Sequence, residues 1–94
     1  LALNVYIPNA IQLNGTGKNS VFGVYGTGID WDKSSIFIYT RWGEKIHELS
    51  GLNKTWNATY RDKQVQAGIY MYNGIIFGKR DEKQAVKGTI LILD

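Results

Sequence analysis

Short runs of β-branched and aromatic residues, mostly closed by glycine, asparagine or proline, follow one another along the whole chain. The longest run is Gly68–Phe77, in which apolar residues occupy both sets of alternating positions. Ser35–Arg41 has the same character, with isoleucines on one side and aromatic rings on the other. Because successive side chains of a strand point to opposite faces, both runs have two apolar faces, and Ser35–Arg41 is predicted to be a central strand or one covered on both faces. The only helix predicted is a single turn at Asp30–Lys33.

Five shorter runs complete the predicted strands, and turn residues separate them. Pro8 ends the first run, since proline removes a backbone donor from a sheet. Gly43 is predicted to take the left-handed position of a tight hairpin. About seven strands in 94 residues predict an all-β fold, an immunoglobulin-like antiparallel β-sandwich. The five shorter runs are Ala2–Ile7, Val21–Tyr25, Lys45–Leu49, Thr55–Tyr60 and Val86–Leu93.

The length of the chain suits one hydrophobic core, so residues 1–94 are predicted to form a single domain. The absence of cysteine excludes disulfides and thiolate metal sites. The net charge is +3, and the basic residues of Lys79–Lys83 are mixed with Asp81 and Glu82. Mixed charges of this kind indicate a solvated turn, so no binding to nucleic acid is expected.

The sequence contains no recognisable set of catalytic residues. The single histidine, His47, is predicted to be a partly exposed strand residue, and no serine lies in a nucleophile-elbow sequence. The segment Gly15–Asn19 differs from the phosphate-binding loop motif at two positions: that of the motif's first glycine, and the one that follows the lysine. We therefore expect no catalytic residue, no cofactor and no small-molecule substrate.

The aromatic residues leave two interpretations open. Three tryptophans and six tyrosines could form a platform on which sugars stack. Alternatively, Trp31, Trp42 and Trp56 are core and corner residues, because aromatic side chains bury the largest area. The second interpretation is favoured, since exposed patches rather than aromatic counts mark binding sites.

Five motifs occur in the order and spacing of one family's pattern. They are Ile7–Ile11 with Asn14–Phe22, then Tyr39–His47, Trp56–Lys63, Gln66–Tyr72 and Gly88–Asp94. With these motifs the chain resembles the gliding-motility-associated C-terminal domain, the type B sorting domain of the type IX secretion system of Bacteroidota. The resemblance spans about residues 5–94, and its specificity comes from the five motifs standing in register.

The resemblance implies a non-catalytic sorting domain at the C-terminus of a larger exported protein. Its partners would be the type IX translocon and a dedicated outer-membrane protein. The passenger would pass through the periplasm and reach the cell surface or the medium. Two other interpretations stay open: an immunoglobulin-like adhesin or carbohydrate-binding module, and a plain structural spacer. Export of a passenger and binding of glycans discriminate among the three.

Candidate residues for partner recognition come from two of these motifs. In the first, we expect Gly43 to permit the hairpin, Trp42 to cover the edge of the core, and Arg41 to bind backbone carbonyls or face a partner. A structural role is favoured, because an arginine beside a turn has five donors to satisfy locally. The closing motif supplies Lys87, Gly88, Thr89, Leu91 and Leu93.

Turn positions of the family pattern are expected to have structural roles. The opening loop of the family could hold Ca²⁺ through acidic residues, but the corresponding residues Thr16 and Ser20 are neutral here. Calcium affinity depends on ligand charge, so no metal is expected. The structural positions are Pro8, Asn9, Asn14, Gly15, Gly17, Asn19, Gly68 and Tyr70.

Overall fold

The computed structural model describes residues 2–13 and 21–94. The regular secondary structure of these residues is entirely β, in eleven strand segments. None of them forms a helix that is long and apolar enough to cross a membrane. The strands are β1 (Asn4–Tyr6), β2 (Ala10–Gln12), β3 (Phe22–Gly23), β4 (Tyr25–Thr27), β5 (Ile29–Thr40), β6 (Lys45–Ser50), β7 (Thr55–Trp56), β8 (Thr59–Tyr60), β9 (Lys63–Gln64), β10 (Gly68–Gly78) and β11 (Lys83–Leu93).

Five strands form the main sheet, in the order β2-β11-β10-β5-β6. The central strand is β10, which pairs antiparallel with β11 on one side and with β5 on the other. Its central place agrees with the apolar residues on both of its faces. At one edge β6 pairs antiparallel with β5, whereas at the other edge β2 runs parallel to β11. The main sheet is therefore antiparallel except at its β2 edge.

Short strand pairs form a second layer over one face of the main sheet, which we call the inner face. Here β1 pairs with β4, and β3 pairs with β7. The ring of Phe22 in this layer lies 5.5 Å from the ring of Tyr72, and Trp56 lies 6.0 Å from Tyr70. Burial of each core isoleucine stabilises the fold by about 1.5–3 kcal/mol. Fully buried side chains between the layers include Ile36, Ile38, Ile76, Ile90, Ile92, Phe22 and Trp56. The predicted all-β sandwich is confirmed.

The first strand changes sheets at Pro8. Before this residue β1 pairs with β4 in the second layer, and after it β2 pairs with β11 in the main sheet. Proline has no backbone N–H to donate, so the break falls where the chain leaves one hydrogen-bond ladder for another. The predicted strand Ala2–Ile7 therefore corresponds to β1, and the sequence did not indicate the separate strand β2.

The prediction of a helical turn at Asp30–Lys33 is wrong, because these residues belong to β5. The register between β5 and β10 shifts just before Phe77, which marks a β-bulge. The buried Ser34 serves this bulge: its hydroxyl donates to the carbonyl of Asp30 at 2.7 Å and accepts the N–H of Phe77 at 2.8 Å. The irregular segment thus stays in the sheet with its buried polar groups paired.

Three other predicted strands differ in extent from those observed. The run Val21–Tyr25 is divided between β3 and β4, which pair with different strands. The run Thr55–Tyr60 is interrupted at Ala58, whose φ of 62° ends β7 before β8 begins. The indole N–H of Trp56 donates to the carbonyl of Thr59 at 2.9 Å across this kink. The last strand begins at Lys83, before the predicted start at Val86, because β11 pairs with β10 from that residue onward.

Candidate docking surface

The face of the main sheet that points away from the second layer, the outer face, carries large apolar side chains in water. On β11, Ile90 is fully buried on the inner face, whereas 43% of Leu91 and 41% of Leu93 is exposed. Ile69, which pairs with Leu91 across the strands, is 53% exposed. Clustered apolar side chains of this kind mark interaction surfaces. Residues on the outer face include Tyr39, Ile69, Met71, Lys87, Thr89, Leu91 and Leu93.

An open groove of about 620 Å³ crosses β5, β10 and β11 on this face. The structure brings four of the predicted partner residues together here, from the hairpin after β5 and from the middle of β11. Lys87 is the one cationic residue of a mostly apolar lining. The groove is lined by Tyr39, Gly43, Met71, Tyr72, Asn73, Lys87, Gly88 and Thr89.

A second cavity, of about 340 Å³, lies where β5 ends and β10 begins. Arg41 and Trp42 line it together with Gly68 and Tyr70, which sequence reasoning had placed in separate motifs. Ile69 also lines this end cavity, and it lies beside Leu91 on the outer face. The end cavity and the outer face are therefore continuous through the side chain of Ile69.

Trp42 does not cover the edge of the core, as the sequence suggested, because 84% of it is exposed. It sits in a tight turn where the N–H of Gly43 donates to the carbonyl of Thr40 at 2.9 Å. The φ of Gly43 is 90°, which confirms its predicted left-handed conformation. The Arg41 guanidinium lies 5.1 Å from the centre of the Trp42 ring. The tryptophan that is buried in the core is instead Trp56, which is 1% exposed.

Several of the predicted structural positions hold strand ends in place. Asn9, just after Pro8, accepts the N–H of Leu91 with its carbonyl at 2.8 Å. Gly68 begins β10 with a φ of 142°. The hydroxyl of Tyr70 donates to the carbonyl of Gln66 at 2.8 Å, and burial raises the pKa of this phenol. The remaining positions, Asn14, Gly15, Gly17 and Asn19, lie outside the described residues.

The charges on the outer face are mainly positive. Lys87 stands at the groove, and Lys45 on β6 places its ammonium 4.9 Å from the centre of the Phe37 ring. Within residues 2–13 and 21–94, the ion pair found joins Lys33 to Asp81 at 3.1 Å, near the opposite end of β5 from Gly43. A lysine beside an apolar groove favours a partner that offers a carboxylate beside apolar side chains.

His47 is half-buried in β6, which confirms its prediction as a partly exposed strand residue. Its ring lies 6.0 Å from the ring of Trp56, and burial lowers the pKa of the imidazole. Its Nε2 lies 3.5 Å from Nδ2 of Asn53. In the described part of the chain, no three side chains of histidine, aspartate or glutamate gather in a way that could hold a metal ion.

The three tryptophans do not form one platform. Trp56 is in the core, while Trp31 lies near the start of β5 and Trp42 lies just beyond its end. Trp31 is half-buried, with the ammonium of Lys54 6.0 Å from the centre of its ring. Stacking against a sugar would therefore fall to single rings at separate places, not to a shared aromatic surface.

The sequence did not identify three residues of the outer face as candidates for partner binding: Tyr39, Ile69 and Met71. The alternation of Ser35–Arg41 predicts a strand that is central or covered on both faces, and the alternation of Gly68–Phe77 does not by itself indicate that one face is exposed. A signal was available in the closing motif, where Leu91 and Leu93 follow the same alternation and were assigned to a partner. Pairing of β10 with β11 then places Ile69 and Met71 beside them.

Comparison with known proteins gives a family and a fold. The model of the CHU_C type IX secretion signal domain family matches residues 5–92. The crystal structure of CopC from Methylosinus trichosporium OB3b is similar in fold, with a TM-score of 0.64 at 14% identity, over 97% of this chain and 91% of that one. No curated protein matches the chain.

Proposed function

Because the chain belongs to the type IX secretion signal domain family, we propose that it is a non-catalytic sorting domain that directs an attached passenger through the type IX secretion system. The passenger would pass through the periplasm and end at the cell surface or in the medium. Such a domain works by being recognised, so its functional chemistry is that of a docking surface. The partners would be the translocon and an outer-membrane protein.

The observation that carries the proposal is the exposed apolar strip of the outer face. Ile69, Leu91 and Leu93 are adjacent in the sheet and between 41% and 53% exposed. Burying apolar side chains like these against a partner contributes about 25 cal/mol for each Å² removed from water. The groove beside Lys87 and the exposed Trp42 extend the strip to the end cavity. We assign partner recognition to this surface.

The test is an export assay with the domain fused to the C-terminus of a reporter that carries an inner-membrane signal peptide. Reporter activity is measured in the medium, at the cell surface and in the periplasm. The reporter is expected outside the cells of a type IX-competent strain and inside those of an isogenic strain without the translocon. Retention in the periplasm of the competent strain would refute the sorting role.

Two matched leucine variants then locate the surface within the same assay. Leu91→Glu places a charge on the outer face, where it would disfavour burial against a partner. Leu52→Glu makes the same change on a turn residue that is 99% exposed. Export is expected to fall with the first variant and to stay at the wild-type level with the second. Equal export by both, with both domains folded by circular dichroism, would move recognition away from the outer face.

A further inference from the structure

One edge of the main sheet is only partly covered. On the side facing away from β10, β11 is paired by β2 at Leu91–Leu93 alone. There the N–H of Leu91 donates to the carbonyl of Asn9 at 2.8 Å, and the carbonyl of Leu93 accepts the N–H of Leu13 at 2.7 Å. The part of β11 before Leu91 has no second partner strand among the described residues.

The backbone groups that face this open edge follow from the pairing. The register between β10 and β11 is regular from Lys83 to Ile92. Backbone groups alternate in direction along a strand, and Leu91 points its N–H toward the edge. Ala85, Lys87 and Thr89 therefore present their N–H and carbonyl groups at the same edge. We call these three residues the open edge.

The opposite edge of the sheet differs, because a turn covers part of β6. The side chain of Asn53 donates to the carbonyl of Glu48 at 2.9 Å, and its backbone N–H donates to the carbonyl of Ser50 at 2.8 Å. The N–H of Ser50 donates in return to the carbonyl of Asn53 at 3.0 Å. The β6 edge thus has part of its hydrogen-bonding capacity occupied within the domain.

The charges along the open edge indicate what could pair with it. Between Lys83 and Leu93 the sequence contains two lysines and no acidic residue. Lysines on an edge disfavour pairing with a second copy of the same edge, since like charges would be brought together. A strand with carboxylates at the facing positions would meet Lys83 and Lys87 favourably. Charge therefore favours a foreign acidic strand over self-association.

The side chains at this edge add a second reason. Lys87 and Thr89 present their backbones at the open edge and their side chains to the outer-face groove. A strand added there would hydrogen-bond to the edge, while its alternate side chains continue the apolar surface of the groove. The backbone hydrogen bonds would supply part of the binding affinity. The groove would make binding selective for the side chains of the added strand.

We propose that the open edge accepts an extended segment of the outer-membrane partner, which joins the main sheet as an additional strand and places its carboxylates next to Lys83 and Lys87. The inference rests on the proposed sorting function and specifies how the partner is held. The mode is β-strand addition, in which the backbone of one protein completes the sheet of another.

Proline substitution at the two edges tests the proposal in the export assay. Lys87→Pro removes an N–H that faces the open edge and leaves the ladder to β10 intact. Glu48→Pro is the matched control on the outward side of β6, and Lys87→Gln removes the charge alone. Export is expected to fall about tenfold with Lys87→Pro, which corresponds to about 1.4 kcal/mol of lost affinity. It should fall less with Lys87→Gln and stay unchanged with Glu48→Pro.

The outcomes separate this inference from the sorting function. If the unaltered domain exports its reporter while a folded Lys87→Pro variant does so equally well, strand addition is wrong and sorting stands. If the unaltered domain fails to export, the sorting function itself is wrong. A dimer of the unaltered domain in sedimentation that Lys87→Pro abolishes would assign the edge to a second copy and overturn the proposed partner.

A measurement on the unaltered domain decides the case in which Lys87→Pro does not fold. Hydrogen exchange of backbone amides is followed by NMR while a synthetic peptide of alternating glutamate and valine is added. Exchange at Ala85, Lys87 and Thr89 is expected to slow, whereas a lysine–valine peptide leaves it unchanged. Equal exchange with and without the acidic peptide would overturn the proposal.

Discussion

Ile90 and Leu91 are neighbours on β11, yet they belong to different environments. Ile90 points to the inner face and is fully buried, whereas 43% of Leu91 remains exposed on the outer face. The same contrast separates Tyr70 from Ile69 on the central strand, with exposures of 9% and 53%. Both faces use large apolar side chains, but within residues 2–13 and 21–94 only the inner face has a second layer to bury them. The apolar residues of the outer face are therefore available to a partner.

The largest expected effect comes from emptying a position on the inner face. Ile90→Ala should lower the free energy of unfolding by about 2–5 kcal/mol, because it removes buried methyl groups and leaves a cavity. Leu91→Ala should lower it by less than about 1 kcal/mol, since the side chain is already partly in water. Urea denaturation of both variants measures the difference. Equal losses would mean that the two faces contribute alike to stability, which would contradict the difference in their burial.

A smaller effect is expected where strands approach closely. A Cβ at Gly74 would collide with the backbone of Ser35 and Ile36, which cannot move without disturbing β5. A Cβ at Gly88 would meet the end of the Tyr72 side chain, which can shift. Gly74→Ala should therefore cost about 1–3 kcal/mol of stability, and Gly88→Ala clearly less. Thermal melting of the two variants checks the order, and a more stable Gly74→Ala would contradict it.

The smallest effect concerns pH and the inner side of β6. Burial lowers the pKa of His47 from its ordinary value of 6.5, so the unfolded chain binds the proton more readily than the folded one. Stability should be greatest above about pH 6.5 and decline as the pH falls toward the lowered pKa. Urea denaturation at several pH values should show this decline, and His47→Gln should reduce it.

A carboxylate also titrates, but in a different pH range. Backbone hydrogen bonds lower the pKa of Glu82, so its contribution is present above its ordinary value of 4.5 and is lost as the pH falls below it. Measurements confined to the range above that value therefore report on His47. An unchanged pH dependence in His47→Gln would show that the imidazole is not responsible.

The interior strand β5 was predictable because its pattern is local, whereas the environment of its two faces is not. Apolar residues on both sides of Ser35–Arg41 indicated a central strand, and β5 lies between β10 and β6 in the main sheet. The same pattern could not reveal which face the second layer covers, since the short strands of that layer lie elsewhere in the chain. Likewise, the extended form of Asp30–Lys33 depends on Ser34 bonding Phe77, which lies 43 residues away.

The candidate surface shows the same division between local and distant information. The left-handed glycine after Trp42 was predictable from the chemistry of the hairpin, and it is observed. The exposure of Trp42 and the burial of Trp56 were not, because both residues stand next to turns in the sequence. The difference between them depends on distant contacts, since the ring of Trp56 packs near the rings of Tyr70 and His47.

The parallel pairing of β2 with β11 has a mechanical consequence. A force that pulls on the chain before Ala10 and after Leu93 would act on β2 and β11 in opposite directions along their length. The bonds from Leu91 to Asn9 and from Leu13 to Leu93 lie across that direction, so they would be sheared together instead of opening one after another. The short second strand would thus resist stretching of the domain more strongly than its three residues suggest.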